Sequence, residues 1–262
     1  MGGLNMKVTV CEFRNDPDGL TADWNGLVKH AVAQGSDWVV LPEMPFYPWI
    51  AKTDEVETEK WDASVAAHDE WMARLPELSA PVILGTRPVT ENGYRFNEGF
   101  VWTAESGYRS VHRKYYLPNE PGFWEAAWYE QGPKDFSVAE VDGVKVGFLI
   151  CTELWFNTHA REYMAQGVDV IVCPRVSPQR STDKWIAGGR TVSTVSGAFC
   201  LSSNLRGPNI EGIAFGGSGW IIEPEEADVL GVTSADHPFL TRDIDPEDAR
   251  KAKSSYPRYV KA

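Results

Sequence analysis

The chain has 262 residues, is 43% hydrophobic and 24% charged, and sets 25 Lys plus Arg against 37 Asp plus Glu, a formal charge of −12. Such a composition is globular rather than disordered, and the length allows a sizeable buried core. The acidic balance disfavours nucleic acid and anionic membrane as partners, because both reward Lys and Arg. No apolar run approaches the roughly 18 residues of a membrane span. The opening MGGLNMKVTVCEF has no signal-peptide pattern, and Met1–Asn5 reads as a frayed or added leader before Met6. Four dispersed cysteines without a CxxC, and five histidines without zinc spacing, argue against a disulfide scaffold or a metal site. A reduced, cytoplasmic protein is expected.

Lys7–Phe13 alternates as a half-buried strand does. Asp18 or Thr21 can cap a helix running to Gln34, with Leu20, Trp24, Leu27, Val28 and Ala31 at core spacing and Gly35 as its stop. Asp37–Leu41 is a short apolar strand halted by Pro42, and a helix is predicted over Asp54–Leu75. Strands follow at Val82–Thr86, Glu98–Thr103 and Tyr108–Lys114, the last two joined by Glu105-Ser106-Gly107. Tyr115–Pro133 reads as an irregular loop rich in Pro and aromatics. Phe136–Val141 and Val144–Ile150 form a hairpin about Asp142-Gly143. Helices at Thr158–Gln166 and Thr182–Gly197 alternate with strands at Asp169–Cys173 and Ala198–Asn204. Strands at Ser218–Ile222 and Phe239–Ile244, then a short helix from Pro246 capped by Asp245, complete the chain. Helices between strands, interrupted by hairpins, predict an α/β fold: a four-layer α-β-β-α sandwich with two mixed sheets. Without a linker or composition break, one domain over 1–262 is expected, with about 245–262 as a C-terminal helix and tail.

Three reactive side chains follow directly on predicted strands. Glu43 follows WVVL-Pro, Lys114 ends its strand, and Cys151 follows VKVGFLI. Active sites of sheet-based enzymes gather at strand ends, where the sheet fixes positions and loops supply shape. A thiol beside a carboxylate and an ammonium is an activated nucleophile with a proton acceptor and an oxyanion donor. Taken singly, each residue has a plainer reading: a buried small hydrophobe, a loop carboxylate and a solvated lysine.

Together these stretches resemble the nitrilase superfamily of carbon–nitrogen hydrolases. Leu41-Pro42-Glu43 is similar to its glutamate motif, His112-Arg113-Lys114 with Leu117-Pro118 to its lysine motif, and Gly147–Glu153 to its nucleophile motif. The resemblance runs from about Lys7 to Pro257-Arg258-Tyr259. It implies a catalytic Glu43, Lys114 and Cys151, and a second glutamate in the loop after the lysine, which the match puts at Glu125. Departures fall around the pocket: Asn157-Thr158 replaces a usual Pro-Glu, Glu153 a usual aspartate, and Arg175 a usual small residue.

Arg175 reads either as a clamp for a substrate carboxylate or as an ion-pair partner of Glu153. Arg180 and Arg190 read as helix-surface charges. Glu153, Arg175 and Trp155 are the candidate substrate-binding residues. Phe46, Tyr47, Trp49, Phe123, Trp124, Trp128, Trp155 and Phe156 fall in the three motif loops, which predicts a largely apolar pocket, with the remainder of the set in the core or an interface. Cys11, Cys173 and Cys200 read as inert buried thiols. Gly216-Gly217-Ser218-Gly219 lacks the lysine of a phosphate loop and reads as a tight turn.

The expected function is cofactor-free hydrolysis of a small amide through a Cys thioester. A nitrilase or an N-carbamoyl amidohydrolase with the same three residues is the alternative, and a catalytically idle binding homologue is the alternative of another class. Expected partners are a small-molecule amide or nitrile and, by the resemblance, a second copy of the chain in a homodimer or higher oligomer.

Overall fold

The computed structural model describes residues 5–207 and 213–260. Positions 1–4 of the expected leader lie outside the described residues. Strand β1 (Met6–Arg14) leads through Asp16, whose carboxylate accepts from the Gly19 amide, into helix α1 (Pro17–Gln34). The cap is therefore Asp16 rather than Asp18 or Thr21, because Pro17 is preorganised for the first helical position. Gly35 ends the helix in the left-handed region at φ 64°. After β2 (Trp38–Val40), helix α2 (Thr58–Met72) is shorter than predicted, and Leu75–Leu78 forms a separate turn of 3₁₀ helix.

The strands β3 (Val82–Glu91) and β4 (Tyr94–Thr103) are far longer than their apolar cores. They meet in a two-residue Asn92-Gly93 turn with φ of 53° and 82°, the conformation for which Asn-Gly is selected. This hairpin, missed in the sequence, carries β4 past Asn97. Strand β5 (Gly107–Arg113) returns to the site, and a one-turn helix α3 (Glu125–Trp128) interrupts the predicted loop.

The second half contains β6 (Ala139–Val141), β7 (Val144–Phe148), α4 (Asn157–Gln166), β8 (Val170–Arg175), α5 (Thr182–Ser196) and β9 (Phe199–Arg206). Then follow β10 (Trp220–Ile222), the unpredicted β11 (Val229–Val232), β12 (Phe239–Ile244) and α6 (Pro246–Ala252), capped by Asp245 as expected. One sheet runs β12-β1-β2-β3-β4-β5 and the other β6-β7-β8-β9-β10-β11, each mixing parallel and antiparallel pairs. The end of β1 also pairs in parallel with β9, Glu12 facing Asn204, and so joins the two.

The apolar side chains divide into three clusters that define the layers. Val8, Val10, Val40 and Leu84 of one sheet pack with Val146, Val170 and Leu201 of the other. Trp24, Leu27 and Trp61 seal α1 and α2 over the first sheet, while Tyr163, Trp185 and Val192 seal α4 and α5 over the second. The expected α-β-β-α sandwich with two mixed sheets is the architecture found.

Helix α5 carries Gly188 and Gly189 in its middle, where glycine costs about 1 kcal/mol relative to alanine. Close approach explains both. A methyl at 188 would lie 2.8 Å from the Trp155 ring, and one at 189 would lie 2.9 Å from the Trp220 ring.

Candidate active site

Four strand ends converge. β2 delivers Glu43, β5 delivers Lys114, β7 delivers Cys151, and β8 delivers Val176. Cys151 opens a 3₁₀ turn (Cys151–Trp155) at φ 47°, a left-handed conformation that few non-glycine residues adopt. It lines a cleft of about 830 Å³, whereas Cys11, Cys173 and Cys200 are fully buried elsewhere.

Glu43, Lys114 and Glu125 are at most 1% exposed and form one ionic cluster. The Lys114 ammonium donates to Glu43 Oε1 at 2.7 Å and to Glu125 Oε2 at 2.5 Å. Asn97 Nδ2 donates to Glu43 Oε1 at 2.8 Å, and the Val176 amide donates to Oε2 at 3.1 Å. The Val176 carbonyl in turn accepts from the Cys151 thiol at 3.4 Å, so a single residue bridges carboxylate and thiol. The Tyr129 hydroxyl donates to Glu125 Oε2, while Glu125 Oε1 is buried without a partner among the described residues.

Burial works against the charge of Lys114, but Glu125 and Glu43 more than offset it, and the ammonium is held well above its ordinary value. Burial, opposed by Lys114 and reinforced by Glu43, pushes Glu125 up to about 7. Burial and then Glu43 push the Cys151 thiol up, outweighing Lys114. Burial and the neighbouring glutamates thus favour the thiol over the thiolate, contrary to the simple expectation that a nearby lysine preforms the anion. A reactive thiolate at this position would have to be made by proton transfer to a neighbouring base.

Glu153 does not reach the cleft. It is fully buried, accepting from the Ile150 amide at 2.8 Å, the Tyr115 amide at 2.7 Å and His112 Nε2 at 2.9 Å. It ties the Cys151 turn to the strand that carries Lys114, so its expected substrate contact is corrected to a brace between the two. Burial disfavours the charged His112 ring, but Glu153 outweighs burial and raises its pKa above the ordinary 6.5. That stabilisation is complete below 6.5 and is lost as pH climbs through the raised value. The melting-temperature gap between the native chain and His112→Gln should therefore shrink from pH 6 to 9. A gap constant over that range would remove the ion pair as its cause.

Arg175 is corrected as well. Its guanidinium is fully buried and touches neither Glu153 nor the cleft. It donates from Nε to Ser202 Oγ at 2.8 Å, from Nη1 to Ser177 Oγ at 2.7 Å and from Nη2 to the Ser218 carbonyl, and it lies 4.0 Å from the Trp220 ring centroid. Burial lowers its pKa to about 10, and the nearby cysteines and Glu12 offset this only in part. Since it directly precedes Val176, Arg175→Ala should lower kcat/KM equally for acidic and neutral amides. It should also cost about 3 kcal/mol of stability, the scale for deleting a large buried side chain. A selective loss on acidic amides with an unchanged melting curve would restore the clamp.

Trp155 does line the cleft, with Phe123, Phe156 and Trp185, whereas Phe46, Trp49 and Trp128 fill the core. Arg180, read as a surface charge, also lines the cleft, as do Lys184 and Glu120. Arg190 instead donates to the Ala227 carbonyl. Asn97, Tyr129 and the Val176 backbone were not foreseen. Only Asn97 left a trace in the sequence, as a poor strand former within an otherwise β-favouring run. Among the described residues no helix is long and apolar enough to cross a membrane.

The sequence pattern of the family described as carbon-nitrogen hydrolase matches residues 5–254. A citrullinase of Francisella tularensis is 24% identical over 178 residues, covering 66% of this chain and 62% of that protein. An N-carbamoylputrescine amidase of Arabidopsis thaliana is 24% identical over 56% of this chain and 50% of that protein. The chain thus spans half to under two thirds of the length of these curated relatives. Among solved structures, a carbon-nitrogen hydrolase from Helicobacter pylori G27 superposes with a TM-score of 0.85 at 19% identity, over 97% of this chain and 94% of that one. An amidase from Nesterenkonia sp. AN1, bearing the acetamide moiety of fluoroacetamide on its active-site cysteine, superposes with a TM-score of 0.75 at 17% identity, over 94% and 92%.

Proposed function

The chain belongs to the carbon–nitrogen hydrolase family, and on that premise we propose that it hydrolyses a small amide through a thioester on Cys151. The observation that carries this reading is the buried Glu43–Lys114–Glu125 cluster beside the one thiol of four that lines the cleft. Glu43 accepts the thiol proton as sulfur attacks the amide carbon, and Lys114 donates to the developing oxyanion. Glu43 returns the proton to the departing nitrogen, and ammonia or an amine leaves. Water, deprotonated by the same carboxylate, then cleaves the thioester and frees the acid. Glu125 shares the ammonium with Glu43 and keeps it in place.

Relatives named for citrulline and N-carbamoylputrescine support carbamoyl compounds as further substrates of the same chemistry. A panel of amides, nitriles and N-carbamoyl amino acids separates the cases. Ammonia alone from amides marks an amidase, and ammonia with carbon dioxide marks a carbamoylase. No turnover, together with slow and unselective iodoacetamide labelling, would mark an idle homologue. We propose further that the chain self-associates, since Tyr256, Tyr259 and Val260 of the tail are 73%, 62% and 46% exposed. Light scattering near 29 kDa at micromolar concentration would exclude a dimer.

A further inference from the structure

Lys184 lies in the first turn of α5, where the helix dipole disfavours a cation. Arg180 sits four residues earlier, and both line the same cleft as Cys151. Both are exposed, and among the described residues neither joins an ion pair with a carboxylate. The Lys184 ammonium instead rests 5.2 Å from the Trp155 ring centroid. Two like charges lining one cleft disfavour each other, and the chain carries 37 acidic side chains from which partners could be drawn. One carboxylate, Glu120, lines the cleft against the two cations.

We infer that the cleft selects an amide whose far end carries a carboxylate, held by Arg180 and Lys184 while the amide carbon meets Cys151. The inference rests on the amide-hydrolase reading and adds the charge of the substrate to it. A substrate carboxylate relieves the repulsion between the two cations, and a guanidinium can grip it through two parallel hydrogen bonds. The aromatic walls then accommodate the methylenes between the two ends. Glu120 opposes the anion and limits how tightly the acid product is retained.

The test compares glutaramate with the neutral pentanamide and the cationic 4-aminobutanamide, and follows glutarate binding by calorimetry. The native chain should favour glutaramate over pentanamide by at least tenfold in kcat/KM. Arg180→Ala with Lys184→Ala should reduce that ratio about tenfold, through KM, and should weaken glutarate binding to match. Glu120→Gln should raise the ratio. An unchanged ratio in the double variant, with amides still hydrolysed, overturns the inference and leaves the hydrolase reading standing. Preference for 4-aminobutanamide, abolished by Glu120→Gln, overturns it in favour of a cationic substrate. Loss of all amide turnover alongside glutarate binding that needs both cations would uphold the anion subsite and overturn the hydrolase reading.

Discussion

Cys151→Ala should abolish amide turnover, with kcat falling about 10⁶-fold, the scale seen when a catalytic nucleophile is deleted. The fold should survive. The thiol makes one weak hydrogen bond, to the Val176 carbonyl, and alanine carries the same Cβ through the left-handed backbone at φ 47°. Cys151→Ser should not rescue activity. A thiol already raised by burial and by Glu43 is still far more acidic than an alcohol in the same place. Alanine at Cys11, Cys173 or Cys200 should keep most activity, because those sulfurs are sealed in the core away from the cleft. Ammonia release and thermal melts of the five variants decide the matter. Comparable turnover in Cys151→Ala would remove the nucleophile from the mechanism.

Lys114→Ala should be costly twice over. Catalysis loses the oxyanion donor, about 10²- to 10³-fold in kcat. Stability should fall by about 3–5 kcal/mol, the usual result of removing one partner from a buried ion pair. Here the damage is concentrated, because Glu43 and Glu125 are left facing each other with no cation between them. Lys114→Arg should rescue poorly, since a planar fork does not fit where a compact ammonium reaches two carboxylates. Adding Glu125→Gln to Lys114→Ala removes one of the stranded charges and should return much of the stability but none of the activity. Two independent, additive stability losses would refute a shared cluster.

How far the sequence revealed this site depends on what each residue does. Glu43, Lys114 and Cys151 stand where apolar runs stop, and a strand end is a local pattern that can be read directly. The α-β-β-α layering was legible for the same reason, from the alternation of strands and helices. Asn97 acts on Glu43, 54 residues away in sequence, a partner its place in the strand does not reveal, and Tyr129 acts on Glu125 four residues back, within a stretch that reads as an irregular loop. The β3–β4 hairpin was missed because its outer half is polar, even though Asn92-Gly93 announces the turn. Arg175 misled because an arginine at a strand end suggests a ligand. Serines and tryptophans spread from Ser177 to Trp220 close around it instead. Glu153 misled through its nearness in sequence to the nucleophile, although its side chain turns inward to three donors.

The glycine pair in α5 makes substrate range separable from the catalytic machinery. Gly188 abuts Trp155, a wall of the cleft, while Gly189 abuts Trp220, the ring against Arg175. A single methyl at 188 presses on the wall and changes the room for substrate, leaving the strand ends where they are. The same methyl one residue later presses on the scaffold behind β8, where any shift is passed to the Val176 backbone and so to both carboxylate and thiol. Two adjacent positions on one helix are thus an adjustable dial and a fixed bolt. Divergence in what the cleft accepts can proceed through the first, whereas the second ties the helix to the chemistry itself.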